Sequence, residues 1–207
     1  MKIYSIEGNI GAGKSTIIEI LKKSLNENNK IIYLPEPIDE WNSITDSSGV
    51  NILTKFYSDQ KKYSFSFQMM AFITRVKQLH ELVREYSSQD VIIITERSMY
   101  TDREVFAKML FDKGSIEDIE YSIYLKWFDY FIKDLTIDGI IYIKVTPQNC
   151  LSRISKRNRS GESLGLEYLF NLEKYHNDWL SGITGVLILD NNGDYVDIPK
   201  IKEYLKI

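Results

Sequence analysis

The residues best suited to chemistry lie at positions 8–15, where Gly-Asn-Ile-Gly-Ala-Gly-Lys-Ser fits the pattern G-x-x-x-x-G-K-S/T. Glycines let backbone N–H groups turn inward around phosphate oxygens, while the lysine reaches the outer phosphates and the serine binds Mg²⁺. The motif lies between a predicted strand and a predicted helix, as such loops require. The alternative is a glycine-rich turn without a ligand. We expect a nucleoside triphosphate to be held by Gly8, Asn9, Ile10, Gly11, Ala12, Gly13, Lys14, Ser15 and Thr16.

Acidic residues follow two further predicted strands. Glu36 lies between two prolines that hold the chain extended, with Trp41 five residues on. Glu96 and Arg97 end the third predicted strand, where an acid commonly helps to hold Mg²⁺ and an arginine can neutralise a transferring phosphoryl group. We therefore expect the metal at Ser15 and Glu96. The alternatives are a solvated loop glutamate at position 36 and a strand-end salt bridge at 96–97.

A basic cluster follows Pro147. A helix that begins there places Arg153 and Arg157 on one face, and Arg159 follows in a glycine- and serine-containing stretch. Cations on a mobile segment are the usual design of a lid over a triphosphate. The sequence predicts such a lid at about 152–165, with a solvated basic face as the alternative.

A long predicted helix carries a polar row beside its apolar stripe. Gln68, Ala71 and Arg75 share one helix face, and Tyr57 lies one short segment upstream. An amide, a small residue and a guanidinium in a row are suited to the wall of a polar pocket. The alternative is a partly exposed polar face.

Short apolar runs alternate with amphipathic segments along the chain. Continuous apolar runs are typical of strands buried on both faces, and strand–helix alternation indicates a parallel sheet covered on both sides. The fold class is therefore α/β, a doubly wound five-stranded parallel sheet flanked by helices. Strands are predicted at 3–6, 31–34, 91–95, 140–145 and 186–189, and the longest helices at 64–86 and 116–135.

Composition limits the class of protein. The chain has 207 residues, 43% of them hydrophobic and 27% charged, which excludes wholesale disorder and favours one domain over 1–207. A net charge of -3 argues against bulk binding to nucleic acid or to an anionic membrane. The single cysteine, Cys150, excludes an internal disulfide framework and fits a reducing compartment. We expect a cytoplasmic protein, of a cell or of an infected host cell.

Together these segments resemble the deoxyribonucleoside kinase family over nearly the whole chain. The resemblance rests on the phosphate loop, Pro35-Glu36-Pro37 with Trp41, the stretch 64–68, and Glu96-Arg97-Ser98 with Asp102-Arg103. It implies a P-loop kinase fold with an arginine-rich lid, ATP as donor, Mg²⁺, and a homodimer. The implied reaction transfers the γ-phosphate of ATP to the 5′-hydroxyl of a deoxynucleoside.

The resemblance also implies residue roles. Glu36 is similar to the general base, Arg97 to the arginine that orients it, and Lys14 to the catalytic lysine. The implied donor-binding residues beyond the loop are Arg153, Arg157, Arg159, Asp194 and Tyr195. The implied substrate-binding residues are Glu36, Trp41, Tyr57, Gln68, Ala71, Arg75, Arg97, Asp102, Phe106 and Glu162.

Arg75 and Asp102 bear on the base that is accepted. Family members that accept thymidine carry apolar or small groups there, so the resemblance implies deoxyadenosine, deoxyguanosine or deoxycytidine before thymidine, with a purine favoured. The rival enzyme is a nucleoside monophosphate kinase, which needs arginines to clamp an acceptor phosphate. The rival of another class is a non-catalytic relative, which is expected to lose Lys14 or Glu36.

The predicted helix at 116–135 is rich in aromatic residues. Five of them recur at helical spacing and are predicted to lie in the core, whereas Tyr130 falls off their stripe and could face a second copy of the chain. The predicted core residues are Tyr121, Tyr124, Trp127, Phe128 and Phe131.

Overall fold

A five-stranded sheet forms the centre of the computed structural model, which describes residues 1–25, 30–158, 164–193 and 196–207. All neighbouring strands are parallel, in the order β2-β3-β1-β4-β5. The predicted α/β class and the five strands are confirmed. The strands are β1 (Lys2–Gly8), β2 (Ile31–Leu34), β3 (Ile92–Glu96), β4 (Gly139–Lys144) and β5 (Leu187–Asp190).

The connections change direction between β3 and β1, because the chain leaves β1 toward β2 at one edge of the sheet and leaves β3 toward β4 on the other side. Ligands in such sheets bind beyond the carboxyl ends of the strands at this switch point. The register pairs Ile6 with Glu96 and Gly8 with Ile143. The end of β1 and the acid at the end of β3 therefore open onto the same edge of the sheet.

Helices cover both faces of the sheet. Ile3 and Ile93 pack with the helix that spans residues 60–85, whereas Ile6 and Ile94 belong to the cluster that includes Ile17 of the first helix. The helices are α1 (Lys14–Ser24), α2 (Ile38–Ser43), α3 (Ile52–Ser58), α4 (Gln60–Glu85), α5 (Met99–Thr101), α6 (Lys108–Asp112), α7 (Asp118–Phe131), α8 (Pro147–Arg157), α9 (Leu166–Leu180) and α10 (Ile198–Leu205), with a π-helical segment at Asp102–Ala107.

Capping residues explain where the two long helices differ from their predicted bounds. Helix α4 begins at Gln60 rather than at 64, because the side chain of Asp59 accepts a hydrogen bond from the N–H of Lys62. Helix α7 begins after Glu117, which forms a capping box with Glu120, and it ends at Phe131 rather than at 135. No described helix is both long enough and apolar enough to cross a membrane.

The aromatic residues of α7 divide between core and surface. Tyr124 and Phe128 are fully buried, as predicted. The prediction that Trp127 lies in the core is wrong, because 47% of its surface is exposed. Trp127 shares a face with Ile119, Ile123 and the exposed Tyr130, each displaced by three or four residues from the next, so α7 carries an apolar face directed away from the sheet.

Candidate active site

A cavity of about 500 Å³ opens at the carboxyl edge of the sheet. Most predicted site residues of the described chain line it. They come from the phosphate loop, the ends of β2 and β3, the helices α2, α3, α4 and α8, and the π-helical segment. The exceptions are Gly8, Asn9 and Ala12, which form the back of the loop; the Asn9 amide donates to the carbonyl of Leu169 instead. The predicted residues that line the cavity are Ile10, Gly11, Gly13, Lys14, Ser15, Thr16, Glu36, Trp41, Tyr57, Gln68, Ala71, Arg75, Glu96, Arg97, Asp102, Phe106, Arg153 and Arg157.

The phosphate loop needs glycine where it passes close to other backbone. A Cβ on Gly8 would lie 2.7 Å from the carbonyl oxygen of Ile143, and one on Gly11 would lie 2.6 Å from that of Cys150. Gly11 also has a φ of 80°, which residues with a Cβ rarely adopt. The loop therefore lies tightly between β4 and α8.

Two side chains of the loop point toward its phosphate side. The Lys14 ammonium donates to the carbonyls of Gly8 at 3.1 Å and Asn9 at 2.9 Å. Burial and the nearby charge of Arg97 lower the pKa of Lys14 to about 8. The Ser15 hydroxyl donates to Oε1 of Glu96 at 2.9 Å. Hydroxyl and carboxylate oxygens that meet beside a lysine are suited to a hard cation such as Mg²⁺.

Glu36 is held by two arginines. Its Oε1 accepts a hydrogen bond from Nη1 of Arg97 at 2.7 Å and a longer one from Nη2 of Arg75 at 3.4 Å. Burial alone would raise the pKa of Glu36, but the charges of Arg97 and Arg75 outweigh it and hold the pKa at about 2. This carboxylate is therefore ionised over the whole physiological range.

Arg97 reaches its position through an unusual backbone. Its φ of 64° lies in the left-handed region, which costs a residue with a Cβ about 1–3 kcal/mol. Its N–H donates to the carbonyl of Ile6, and its Nη2 donates to that of Gly8. The guanidinium lies 5.2 Å from the ring centre of Phe106. Arg97 thus connects Glu36 to the phosphate loop.

Arg75 and Asp102 form a buried ion pair. Nε of Arg75 donates to Oδ2 of Asp102 at 2.8 Å, and the two side chains are 4% and 3% exposed. Nη1 of Arg75 also donates to the carbonyl of Glu96. Burial raises the pKa of Asp102 to about 6, although Arg75 opposes this shift. The alternative of a partly exposed helix face is wrong, since Gln68, Ala71 and Arg75 are all buried.

Aromatic side chains form the end of the cavity beside the Gln68 amide. Trp41 donates its indole N–H to the Thr74 hydroxyl at 2.9 Å, which fixes the plane of its ring. Phe67 packs edge-on against Trp41 and stacks on Phe56. Flat apolar walls with one amide fit a planar heterocycle.

Residues 4–206 match the family model described as deoxynucleoside kinase. The chain belongs to the deoxynucleoside kinase family. Deoxycytidine kinase 2 of Gallus gallus is 36% identical over 99% of this chain and 88% of its own. A probable deoxycytidine kinase of fowlpox virus is 37% identical over 95% and 81%. The mitochondrial deoxyguanosine kinase of Xenopus laevis is 32% identical over 92% and 77%.

Membership of this family confirms the resemblance to deoxyribonucleoside kinases that the sequence motifs indicated. The kinase is a phosphotransferase that phosphorylates deoxynucleosides from a nucleotide donor. Such an enzyme needs a site for the donor phosphates next to a site for the nucleoside. The cavity offers both, because the phosphate loop and the aromatic pocket line the same space.

On the donor side, Arg153 is held by backbone carbonyls. Its Nη2 donates to the carbonyls of Asn191 at 2.7 Å and Gly193 at 3.3 Å, and its Nη1 to that of Ala12 at 3.4 Å. Arg153 and Arg157 lie on one face of α8, as predicted, and both reach the cavity. The remaining predicted residues, Arg159, Glu162, Asp194 and Tyr195, lie outside the described residues.

Several residues of the site were missed by sequence reasoning. Thr74 orients Trp41, Phe56 lines the aromatic end of the cavity, and the half-buried Tyr168 also lines the cavity. The Asn191 amide donates to the carbonyl of Ala12 at 2.9 Å and steadies the loop. Phe56 directly precedes the predicted residue Tyr57, and Tyr168 follows the predicted lid by three residues, so adjacency to predicted segments was the available signal.

The pKa of Asp102 leads to a testable pH dependence. Since this pKa is raised to about 6, Asp102 is charged above that pH and becomes neutral below it, which weakens its pairing with Arg75. We expect kcat/KM for the nucleoside to fall as pH decreases through about 6. Glu36, with a pKa of about 2, does not contribute to this fall.

The profile is measured from pH 5 to 8 for the wild type and for Asp102→Asn. The Asp102→Asn variant should have a lower kcat/KM than the wild type. It should also lack the decrease in kcat/KM that protonation of Asp102 causes in the wild type. Titration of the donor's phosphate affects both proteins equally, so it cancels in their ratio. If the ratio of wild-type to variant kcat/KM stays constant from pH 5 to 8, Asp102 does not cause the pH dependence.

Proposed function

We propose that this kinase is an ATP- and Mg²⁺-dependent deoxynucleoside 5′-kinase in which Glu36 is the general base. The observation that carries the proposal is the position of the Glu36 carboxylate. It lies in the same cavity as the phosphate loop and the aromatic pocket, and Arg97 fixes it at 2.7 Å. A carboxylate fixed between a phosphate site and a base site is suited to receive a hydroxyl proton.

The proposed step needs little basicity. The 5′-hydroxyl oxygen forms a bond to the γ-phosphorus as the bond to the β-phosphate bridging oxygen breaks, and ADP leaves. Glu36 takes the hydroxyl proton. Because the transition state is loose, the proton leaves late, and a carboxylate with a low pKa is adequate. Lys14 and Arg97 neutralise charge on the transferring group, so positioning and charge supply most of the catalysis.

Ser15 and Glu96 are the residues that would hold Mg²⁺. Their oxygens meet at 2.9 Å beside Lys14, and both line the cavity. A magnesium ion usually takes one or two protein oxygens together with water and phosphate oxygens, which fits this donor set. When bound, the ion supplies charge neutralisation at the phosphates.

The acceptor pocket fits a deoxynucleoside without a phosphate. The Arg75 guanidinium is engaged by the carboxylates of Asp102 and Glu36. The Arg97 guanidinium lies between Glu36 and the Gly8 carbonyl of the phosphate loop, beside the transferring group, so neither arginine is arranged as a clamp for an acceptor phosphate, as a monophosphate kinase requires. We assign Gln68 to the base edge, and Tyr57 with Glu162 to the sugar 3′-hydroxyl. Lys14 and Glu36 are both retained, which argues against a non-catalytic relative.

The Arg75–Asp102 pair favours deoxyadenosine, deoxyguanosine or deoxycytidine over thymidine. A buried ion pair offers hydrogen-bond donors and acceptors to an exocyclic amino group or carbonyl, and it does not match the thymine methyl group. The names of the relatives, deoxycytidine kinase and deoxyguanosine kinase, support the same set.

Three further proposals concern the whole chain. We propose that residues 1–207 form one kinase domain with an arginine-rich lid at about 152–165, that the protein is cytoplasmic, and that it forms a homodimer. The homodimer is supported by the apolar face of α7, where Ile119 and Tyr130 are 72% and 62% exposed. A second copy would cover this face with the same apolar residues.

Trp127→Glu is expected to convert the dimer to a monomer, because it places a charge in the centre of the proposed interface. Light scattering after gel filtration measures the mass. Ile188→Glu, at a position on β5 that is 55% exposed, is the matched control and should remain dimeric. A dimeric Trp127→Glu protein, or a monomeric wild type, would contradict the proposal.

The substrate proposal is tested by phosphate transfer from ATP with Mg²⁺ to the four deoxynucleosides and their ribonucleosides. We expect turnover of deoxyadenosine, deoxyguanosine or deoxycytidine to exceed that of thymidine and of every ribonucleoside. Thymidine as the best substrate would refute the role of the Arg75–Asp102 pair.

A further inference from the structure

Glu7 is a buried acid that the proposed mechanism does not use. It lies at the carboxyl end of β1, directly before the phosphate loop, and its side chain is fully buried. One carboxylate oxygen, Oε2, accepts a hydrogen bond from the hydroxyl of Thr101. The other, Oε1, has no hydrogen-bond partner in the part of the chain that the structure describes.

Such an arrangement is costly for a side chain with only a packing role. Burying a carboxylate with one hydrogen bond takes it out of water without full compensation, whereas an apolar residue of similar size carries no such penalty. The position next to the site suggests that the cost is retained for function, as buried polar groups often are near active sites.

Thr101 links this acid to the nucleoside pocket. It is fully buried in α5 and directly precedes Asp102, the first residue of the π-helical segment Asp102–Ala107. That segment also carries Phe106, which lines the cavity and packs on Arg97. Short π-helical segments are rare and are frequently found at functional sites. The hydrogen bond to Glu7 therefore anchors the beginning of the segment to the central strand.

Glu7 also acts through its charge. Burial lowers the pKa of Arg75, but the carboxylates of Asp102, Glu36 and Glu7 together raise it above the ordinary value. Of the three carboxylates Glu7 contributes least, and it also opposes the lowering of the Lys14 pKa.

From this geometry we infer that Glu7 and Thr101 are a positioning pair, which holds Asp102 in register with Arg75 and thereby sets nucleoside affinity. This inference rests on the proposed function, because it assumes that the Arg75–Asp102 pair contacts the nucleoside. The hydrogen bond joins Glu7 to the segment that carries Asp102, on the side that we assign to the acceptor, whereas we assign the donor to Lys14 and the arginines of α8.

Thr101→Val tests the inference, because valine keeps the shape of threonine and removes the hydroxyl. Loss of a hydrogen bond to a charged group should raise the Kd and KM for the preferred deoxynucleoside about tenfold. The KM for ATP should stay within about twofold of the wild type, since the loop keeps its own contacts. Calorimetric titration with the nucleoside gives a readout that does not depend on turnover.

Two variants serve as controls. Thr101→Ser keeps the hydroxyl and should restore wild-type affinity. Ser5→Ala removes another fully buried hydroxyl two residues before Glu7 on the same strand face, and this hydroxyl has no partner among the described residues. It should leave both KM values unchanged. If Thr101→Val does not fold, Thr101→Ala removes the same hydroxyl without placing a methyl group against the carboxylate.

The outcomes separate the inference from the proposed function. A rise confined to the nucleoside Kd and KM, reversed in Thr101→Ser, supports the positioning role. A folded variant with unchanged nucleoside affinity, or an equal loss for nucleoside and ATP, overturns it while the wild-type kinase remains active. A wild type that binds no deoxynucleoside overturns the proposed function and this inference together.

Discussion

Replacing Glu36 with glutamine is expected to lower kcat by about 10²–10⁴-fold, the range that a positioned general base contributes. Glutamine keeps the size of the side chain and one oxygen that can accept from Arg97, so the cavity retains its shape. It cannot take a proton from the 5′-hydroxyl. The nucleoside Kd should therefore change little, which separates a role in the reaction from a role in binding.

Steady-state kinetics and calorimetric titration on the same protein measure both quantities. Glu40→Gln is the matched control, because Glu40 lies four residues away in α2 and pairs at the surface with Lys77. Its kcat should equal that of the wild type. A Glu36→Gln enzyme with near wild-type kcat would remove Glu36 from the catalytic role.

Arg97→Lys is expected to lower kcat by about 10²-fold even though the charge is kept, as is typical when one preorganised donor is lost. Arg97 donates to Glu36 and to the carbonyl of Gly8 with different nitrogens, and a single ammonium group cannot reproduce this fork. The left-handed backbone at position 97 stays strained in the variant, so a change in strain does not explain the loss.

The loss should fall on kcat and not on nucleoside affinity, because the base contacts lie elsewhere in the pocket. Arg84→Lys, at an exposed position in the last turn of α4, is the control and should have no effect. If Arg97→Lys raises the nucleoside Kd and leaves kcat unchanged, Arg97 is a substrate-binding residue and does not orient the base.

The fold could be predicted because its signals are local. Strands buried on both faces consist of near-continuous apolar runs, and β1, β3 and β4 contain such runs at Ile3–Ile6, Ile92–Thr95 and Ile140–Ile143. The phosphate loop is a short contiguous pattern, and the acids at the strand ends follow from the rule that ligands bind at the carboxyl edge. Most of the described site residues could therefore be named before their geometry was known.

The features that could not be predicted from the sequence depend on contacts between segments that are distant along the chain. Nothing local shows that Arg75 reaches Glu36 as well as Asp102, or that Glu7 accepts a hydrogen bond from Thr101, 94 residues away. The helix at 116–135 has apolar residues over more than one face, so periodicity alone could not separate Phe128 in the core from Trp127 on the surface. The π-helical segment has no simple period in the sequence.

The central claim is that the acceptor is the hydroxyl of a nucleoside rather than the phosphate of a nucleotide. The most direct test compares phosphate transfer from ATP to deoxyadenosine, deoxyguanosine and deoxycytidine with transfer to their 5′-monophosphates, under identical conditions. Our account expects turnover of at least one nucleoside and none of the monophosphates. Turnover of the monophosphates alone would contradict it and would remove Glu36 from its place as the base.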